Sequence, residues 1–157
     1  MITLIVTKSE KVQEAFLNSV KAFKNQGVCV LLTKSYSSVA GLLEKRGVKV
    51  SNFLFIDTLG SSELDNVVNV SQEDLTGLSI SISEALQSLP KKAGLIFDSF
   101  STLAVKHDSK MVAKFARFLF QHLQAWETNA VIIVAKEGTD AELLAVLKQS
   151  ADKVEEK

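Results

Sequence analysis

The sequence predicts one three-layer α/β/α domain built on a mainly parallel sheet of five or six strands. Its 157 residues have the length of a single domain, and no linker or repeat divides residues 1–157. Short runs that are apolar at nearly every position are typical of parallel strands covered on both faces. Segments with helical spacing lie between these runs, and this alternation favours a parallel sheet with helices on both sides.

The strands are predicted from five apolar runs, in which polar positions do not alternate with apolar ones. The single cysteine, Cys29, lies in the second run, and no cation adjoins it to stabilise a thiolate, so we expect a buried thiol. The runs are Ile2–Val6, Val28–Thr33, Asn52–Ile56, Gly94–Phe97 and Ala130–Ala135.

The helices are predicted from apolar residues that recur three and four positions apart. The segment 78–83 alternates as a strand would, but the longer window around it keeps helical spacing and favours a helix. Within 109–125, Met111, Phe118 and His122 share the main apolar stripe, which predicts a core position for His122. The predicted helices cover residues 10–25, 37–45, 75–89, 109–125 and 140–149.

Local signals predict two helix caps and one loop. Thr7 with Glu10, and Thr139 with Glu142, have the spacing of capping boxes. The segment Gly60–Asn69 is the only long polar insertion, so we expect a mobile surface loop there.

Composition excludes several classes of function. Eighteen basic and eighteen acidic side chains cancel, so a nucleic-acid partner is not expected. No apolar run is long enough to cross a bilayer and no signal peptide is recognisable, so we expect a cytoplasmic protein without membrane contact. No residue spacing fits a zinc site or a serine-hydrolase elbow, and His107 falls in a polar turn.

The residues after each predicted strand are the candidates for chemistry, because ligands of parallel sheets bind at the carboxyl ends of the strands. In the segment 93–103, an apolar strand ends in Asp98-Ser99, and Thr102-Leu103 follows closely. This segment resembles the Walker B strand of RecA-like ATPases, especially their KaiC-type branch.

The resemblance extends along most of the chain. The strand Phe53–Asp57, the connection 69–78 and the turn 150–154 are similar, in the same order, to segments of archaeal KaiC-like proteins. In those proteins the turn that corresponds to 150–154 leads into a late strand of the sheet. The resemblance therefore implies a RecA-like fold.

The sequence departs from this family where the family binds and hydrolyses nucleotide. A phosphate loop needs glycines so that its backbone amides can wrap the phosphates, but no glycine precedes Gly27. Only Lys8 and Ser9 match the end of a Walker A motif. The segment 32–35, where the family carries its catalytic carboxylate, contains no acid. Hydrolysis is therefore not expected, and no cofactor is required.

These departures favour a non-catalytic RecA/KaiC-like domain that acts as a binding, regulatory or assembly module. The alternative is a divergent nucleotide-binding ATPase or regulatory domain in which Lys8, Ser9 and Asp98 contact ATP and Mg²⁺. Asp98 can also serve as a helix cap or turn acceptor. A phosphoacceptor receiver pattern would use Asp57 and Lys136, but Lys8 stands where that pattern needs acidic ligands for Mg²⁺.

A protein partner or a second copy of the chain is the expected ligand. On the predicted helix 109–125, Ala113, Ala116 and Phe120 form a second apolar strip beside the main stripe. This strip either packs beneath a neighbouring helix of the same chain or contacts another subunit.

Overall fold

The computed structural model describes all residues 1–157 and contains one seven-stranded sheet in which every strand pair is parallel. The predicted α/β class is confirmed, and the sheet is larger than the predicted five or six strands. The strand order is β4-β3-β2-β5-β6-β1-β7. The strands are β1 (Ile2–Thr7), β2 (Gly27–Leu31), β3 (Phe53–Asp57), β4 (Val67–Asn69), β5 (Gly94–Phe97), β6 (Ala130–Ala135) and β7 (Lys153–Glu156).

Six α-helices connect the strands, and the predicted helix in the ambiguous 75–89 segment is confirmed. None of the six combines the length and the apolar character that crossing a bilayer requires. The helices are α1 (Val12–Ala22), α2 (Tyr36–Lys45), α3 (Leu75–Gln87), α4 (Phe100–Lys106), α5 (Ser109–Ala125) and α6 (Ala141–Ser150), with 3₁₀ helices at Ser9–Lys11 and Val50–Asn52.

The helices cover the sheet on both faces. Side chains of α1 and α2 pack against one face, and side chains of α3 to α6 pack against the other. Along β1, Leu4 and Val6 point to the core beneath α3 to α6, and Ile5 points to the core beneath α1 and α2. Because both faces of the strand are covered, almost every residue of it is apolar. Cys29 is buried as predicted, and burial raises the pKa of its thiol.

Two strands and one helix lie outside the apolar runs and helical patterns from which the elements were predicted. β4 occupies the last three residues of the segment predicted as a loop, and its Val67 pairs with Phe55 of β3. β7 is the late strand that the resemblance implies; it pairs with β1 at the sheet edge. Its sequence, Lys153–Glu156, is mostly charged, as is common for edge strands, and therefore lacks an apolar signal. The third missed element is α4.

Both predicted capping boxes are wrong. Thr7 is the last, buried residue of β1, and Lys8 occupies the position before the 3₁₀ helix without any side-chain cap. The Thr139 hydroxyl donates to the carbonyl of Ala135 at 2.5 Å, and Asp140 precedes α6. Thr7 is held in the sheet, where its carbonyl accepts from the Lys136 amide, and the Thr139 hydroxyl is used by a carbonyl four residues before it, so neither hydroxyl caps a helix.

Candidate functional site

The candidate site is the edge of the sheet where β1, β6, β5 and β2 end. The strand order inserts β6 between β1 and β5, so the loops after these three strands are neighbours. Lys8 and Ser9 follow β1, and Asp98 follows β5. The structure thus brings all three predicted residues to one sheet edge.

The connection from β1 to α1 is direct, as the absence of glycine predicts. Lys8 is extended, with φ −65° and ψ 146°, and the 3₁₀ helix begins at Ser9. No residue before Gly47 has a positive φ. This backbone therefore lacks the left-handed turns with which a glycine-rich loop wraps a phosphate. Lys8 and Ser9 are both exposed.

A carboxylate of the same chain occupies the first free amide of this connection. Glu137, from the loop after β6, accepts a hydrogen bond from the Ser9 amide with its Oε2 at 2.9 Å. The Lys136 amide donates to the carbonyl of Thr7 at 2.8 Å, so two contacts join the loops. The Ser9 amide holds the pKa of Glu137 below its usual value, and the charge of Lys8 adds to this lowering. An anion thus already sits at this helix start.

Asp98 is buried and directed away from β1. Its Oδ2 accepts hydrogen bonds from the amides of Leu32, at 3.2 Å, and Thr33, at 2.9 Å. The Thr33 hydroxyl donates to Oδ1 at 3.2 Å. These donors follow β2, which lies on the side of β5 opposite β6 and β1. Burial raises the pKa of Asp98, and the donated hydrogen bonds oppose this rise. Its contacts are those of a turn acceptor.

Asp57 holds another turn at the same edge. Its carboxylate is fully buried and accepts hydrogen bonds from the amides of Tyr36 at 2.9 Å, Leu59 at 2.9 Å and Gly60 at 3.0 Å. β2 and β5 separate β3 from β6, so Lys136 stands about three strand spacings, or roughly 14 Å, from Asp57. The structure does not assemble a receiver-type site from these two residues.

Neither histidine belongs to a metal site. His107 Nε2 lies 2.7 Å from the carbonyl oxygen of Gln72, and the Gln72 side chain donates to the carbonyl of Leu32 at 2.8 Å. His122 is only half-buried and lies at the surface of α5, so its predicted core position is wrong. No three His, Cys, Asp or Glu side chains come together in a group that could hold a metal ion.

The structure corrects the expectation that the second apolar strip could contact another subunit. Ala113, Ala116 and Phe120 are 8%, 1% and 1% exposed. The Phe120 ring meets Phe100 of α4 edge-on, with the ring centroids 6.2 Å apart. The sequence pattern did not reveal α4, which covers Phe120. The strip therefore belongs to the core.

Sequence reasoning also missed an exposed apolar groove between α3 and α5, which we call the α3–α5 groove. Ile80 of α3, Met111 and Phe118 of α5, and Trp126 just after α5 are 40% to 54% exposed, and His122 lies among them. Met111 and Phe118 share helical spacing with core residues. That periodicity predicted burial and concealed the groove.

The comparisons with known proteins agree on the fold. The KaiC-like protein PH0186 from Pyrococcus horikoshii OT3 is 11% identical, with a TM-score of 0.71 over 98% of this chain and 68% of that chain. The uncharacterized protein PH0321 from Pyrococcus horikoshii, solved in complex with an unknown peptide, is 13% identical, with a TM-score of 0.74 over 98% and 75%. PH0250 from the same strain as PH0186 is 10% identical, with a TM-score of 0.63 over 99% and 80%.

These likenesses show that the fold is KaiC-like, as the sequence resemblance implies. No curated protein matches the sequence. One family model matches residues 5–156, and its description is "Family of unknown function (DUF7504)". The match spans nearly the whole chain, and the protein therefore belongs to the DUF7504 family.

Proposed function

We propose that this protein is a non-catalytic RecA/KaiC-like domain that works by binding another protein and does not hydrolyse nucleotide. The observation that carries the proposal is the Glu137 carboxylate on the Ser9 amide, at 2.9 Å. In a phosphate-binding connection, this amide at the start of the helical segment is free for the ligand. Here a side chain of the same charge sign as phosphate already uses it.

The groups around this contact support the same proposal. A phosphate beside Ser9 would lie against a carboxylate whose lowered pKa keeps it ionised, and like charges repel. Asp98 accepts three hydrogen bonds from residues after β2, so it would have to give them up in order to turn toward a metal near β1. No acidic side chain lies in 32–35 to polarise an attacking water.

Two further observations support a protein as the ligand. The α3–α5 groove leaves four large apolar side chains between 40% and 54% exposed, and such patches mark binding surfaces. The solved structure of PH0321, which shares this fold, contains an unknown peptide. The second observation is an analogy at the level of the fold.

Thermal unfolding with and without Mg²⁺ and ATP tests the proposal. We expect no stabilisation of the wild-type protein by millimolar MgATP over Mg²⁺ alone, whereas a ligand at 100 times its Kd adds about 2.7 kcal/mol. Lys8→Ala and Asp98→Asn are the matched variants, and both should behave like the wild type in this assay. A stabilisation that these variants abolish would establish the alternative, a nucleotide-binding domain that uses Lys8, Ser9 and Asp98.

A further inference from the structure

We propose that the α3–α5 groove binds an amphipathic helix that carries acidic side chains along one edge of its apolar face. This inference rests on the proposed function, because it names the chemistry of the partner that a protein-binding domain would take. Its basis is the shape of the groove, the rigidity of its aromatic side chains and the unpaired positive charge beside it.

The groove is long enough for a helix of several turns. Two adjoining cavities, of about 310 and 470 Å³, share Ser79, Ile80 and Phe118 as lining residues. The second cavity extends to Met111 and the first to Trp126. The groove thus follows α5 over a distance of roughly 22 Å, the length of about four helical turns. Apolar grooves of this kind accept the apolar face of a helix.

The aromatic side chains along the groove are held in place before any partner arrives. The Phe118 and His122 rings have their centroids 4.2 Å apart, and the Trp126 ring meets His122 edge-on at 5.4 Å. His122 Nδ1 lies 3.0 Å from the carbonyl oxygen of Phe118, which fixes the imidazole between the two rings. Side chains ordered in this way lose little rotamer entropy on binding, and Trp is frequent at the centre of interfaces.

The charge beside the groove identifies the partner as acidic. Lys110, Lys114 and Arg117 are exposed at helical spacing along one edge of α5, and none of them takes part in the four ion pairs of the chain. Lys114 lines the groove, whereas Lys110 and Arg117 line the cavity on the α6 side of α5, where Asp140 and Glu142 also lie. The wall formed by α3 contributes Thr76, Ser79 and Ser83 and a single carboxylate, that of Glu84. We therefore expect the acidic side chains of the bound helix on the edge that lies over α5.

The same charges disfavour a second copy of this chain in the groove. A two-fold interface uses the same patch on both subunits, so a second copy would bring the same α3 and α5 side chains to the groove. Glu84 is the single carboxylate among these side chains, so a second copy would bring Lys114 no excess of negative charge. Asp140 and Glu142 line the separate cavity toward α6 and would not enter such an interface. An acidic helix instead meets the cations with opposite charge.

Binding of synthetic peptides tests the proposal. The probe is a peptide of about 16 residues, built from Leu, Ala and Glu with one apolar stripe and without Trp. Trp126 is the only tryptophan, so its emission reports on the groove itself. We expect a saturable blue shift with the Glu peptide and at least about tenfold weaker binding of the same peptide with Lys in place of Glu.

Three variants locate the binding. Phe118→Ser should weaken binding of the Glu peptide by about tenfold or more, because it removes an exposed anchor. Lys114→Glu should weaken binding of the Glu peptide and strengthen binding of the Lys peptide. Val105→Ser is the matched control: Val105 is 84% exposed on α4 and lines neither cavity, so its substitution should leave both affinities unchanged.

Several outcomes would overturn this inference. They are no binding of the Glu peptide, equal binding of the two peptides, or a Phe118→Ser variant that binds like the wild type. Self-association that Phe118→Ser abolishes, or binding to phosphatidylglycerol vesicles in place of the peptide, would assign the groove to another occupant. A negative peptide result together with no response to MgATP refutes the groove alone, whereas stabilisation by MgATP refutes the proposed function.

Discussion

The carboxyl edge of the sheet and the α3–α5 groove use their side chains in opposite ways. At the edge, Asp57, Asp98 and Glu137 all accept hydrogen bonds from backbone amides of the same chain. No buried side-chain nitrogen or oxygen of the protein lacks a hydrogen-bond partner. In the groove, Phe118 and Ile80 remain about half-exposed. The exposed apolar side chains thus lie on the helical face, where we propose that a partner binds.

The two regions differ because a buried carboxylate without hydrogen-bond donors destabilises the folded protein far more than an exposed aromatic ring does. A buried carboxylate without donors carries a large desolvation cost, so its position is stable only while the amides around it remain bound. Withdrawing Asp98 for a ligand would leave the buried amide of Leu32 without its acceptor, which is itself unfavourable. An exposed Phe ring carries a smaller cost, and covering it stabilises a complex by roughly 25 cal/mol for each Å² of apolar surface removed from water.

The largest expected effect separates the two sides of one helix, α5. Phe120→Ala should lower the free energy of unfolding by about 3 to 5 kcal/mol, because Phe120 is 1% exposed and packs on Phe100. Phe118→Ala, the matched control, should lower it by less than about 1 kcal/mol, since its ring is 49% exposed. Urea unfolding of both variants measures the difference. Equal losses would mean that Phe118 is part of the core and that the groove is not an open surface.

Most of the fold could be predicted from the sequence because burial on both faces leaves a strong signal. β1, β2, β3, β5 and β6 are almost entirely apolar, and the pattern identifies each of them within two residues at either end. β4 has three residues and β7 is a charged edge strand, so neither produces an apolar run. α4 has seven residues, too few for helical periodicity to be recognised.

The candidate site was predictable only in part, since sequence position indicates which strand end a residue follows but not where its side chain points. The strand ends bring Lys8, Ser9 and Asp98 to one edge, as the pattern indicates. The contact between Glu137 and Ser9 joins residues 128 positions apart, and no local pattern encodes it. The groove was concealed for a related reason: the spacing of Phe118 matches that of core residues, and only the placement of α3 shows that it stays exposed.

An intermediate effect concerns Asp98, for which two substitutions have different expected results. Asp98→Ala should lower the free energy of unfolding by about 2 to 3 kcal/mol, because it leaves the buried Leu32 amide without an acceptor and removes the acceptor of Thr33. Asp98→Asn should change it by no more than about 1 kcal/mol at neutral pH. The asparagine oxygen can accept from both amides, and the Thr33 hydroxyl can reverse its direction to accept from the asparagine nitrogen.

The pH dependence of these variants gives a second measurement for Asp98. Burial raises the pKa of Asp98 above its ordinary value of 3.8, so the folded protein holds this proton more tightly than the unfolded chain. The resulting contribution to stability is present below pH 3.8 and is lost as the pH rises through the pKa of the folded state. Relative to the wild type, Asp98→Asn should therefore gain stability from acidic to neutral pH. If the difference in free energy of unfolding between Asp98→Asn and the wild type stays constant with pH, ionisation of Asp98 does not destabilise the folded protein.

The smallest expected effect concerns Glu137 and tests the occupied amide directly. The Ser9 amide holds the pKa of Glu137 below its ordinary value of 4.5, so the contact is present above pH 4.5 and is lost as the pH falls through the lower pKa of the folded state. The amide resonance of Ser9, followed by nuclear magnetic resonance, should titrate with a midpoint below 4.5. Glu137→Gln should remove this titration and leave thermal stability nearly unchanged, because the side chain is exposed.

Glu142 is exposed at the start of α6 and makes no contact with Ser9, so Glu142→Gln is the control and should leave the titration intact. If the Ser9 amide does not respond to Glu137, the amide is free for an external anion, and the contrast between a closed sheet edge and an open groove fails at this residue.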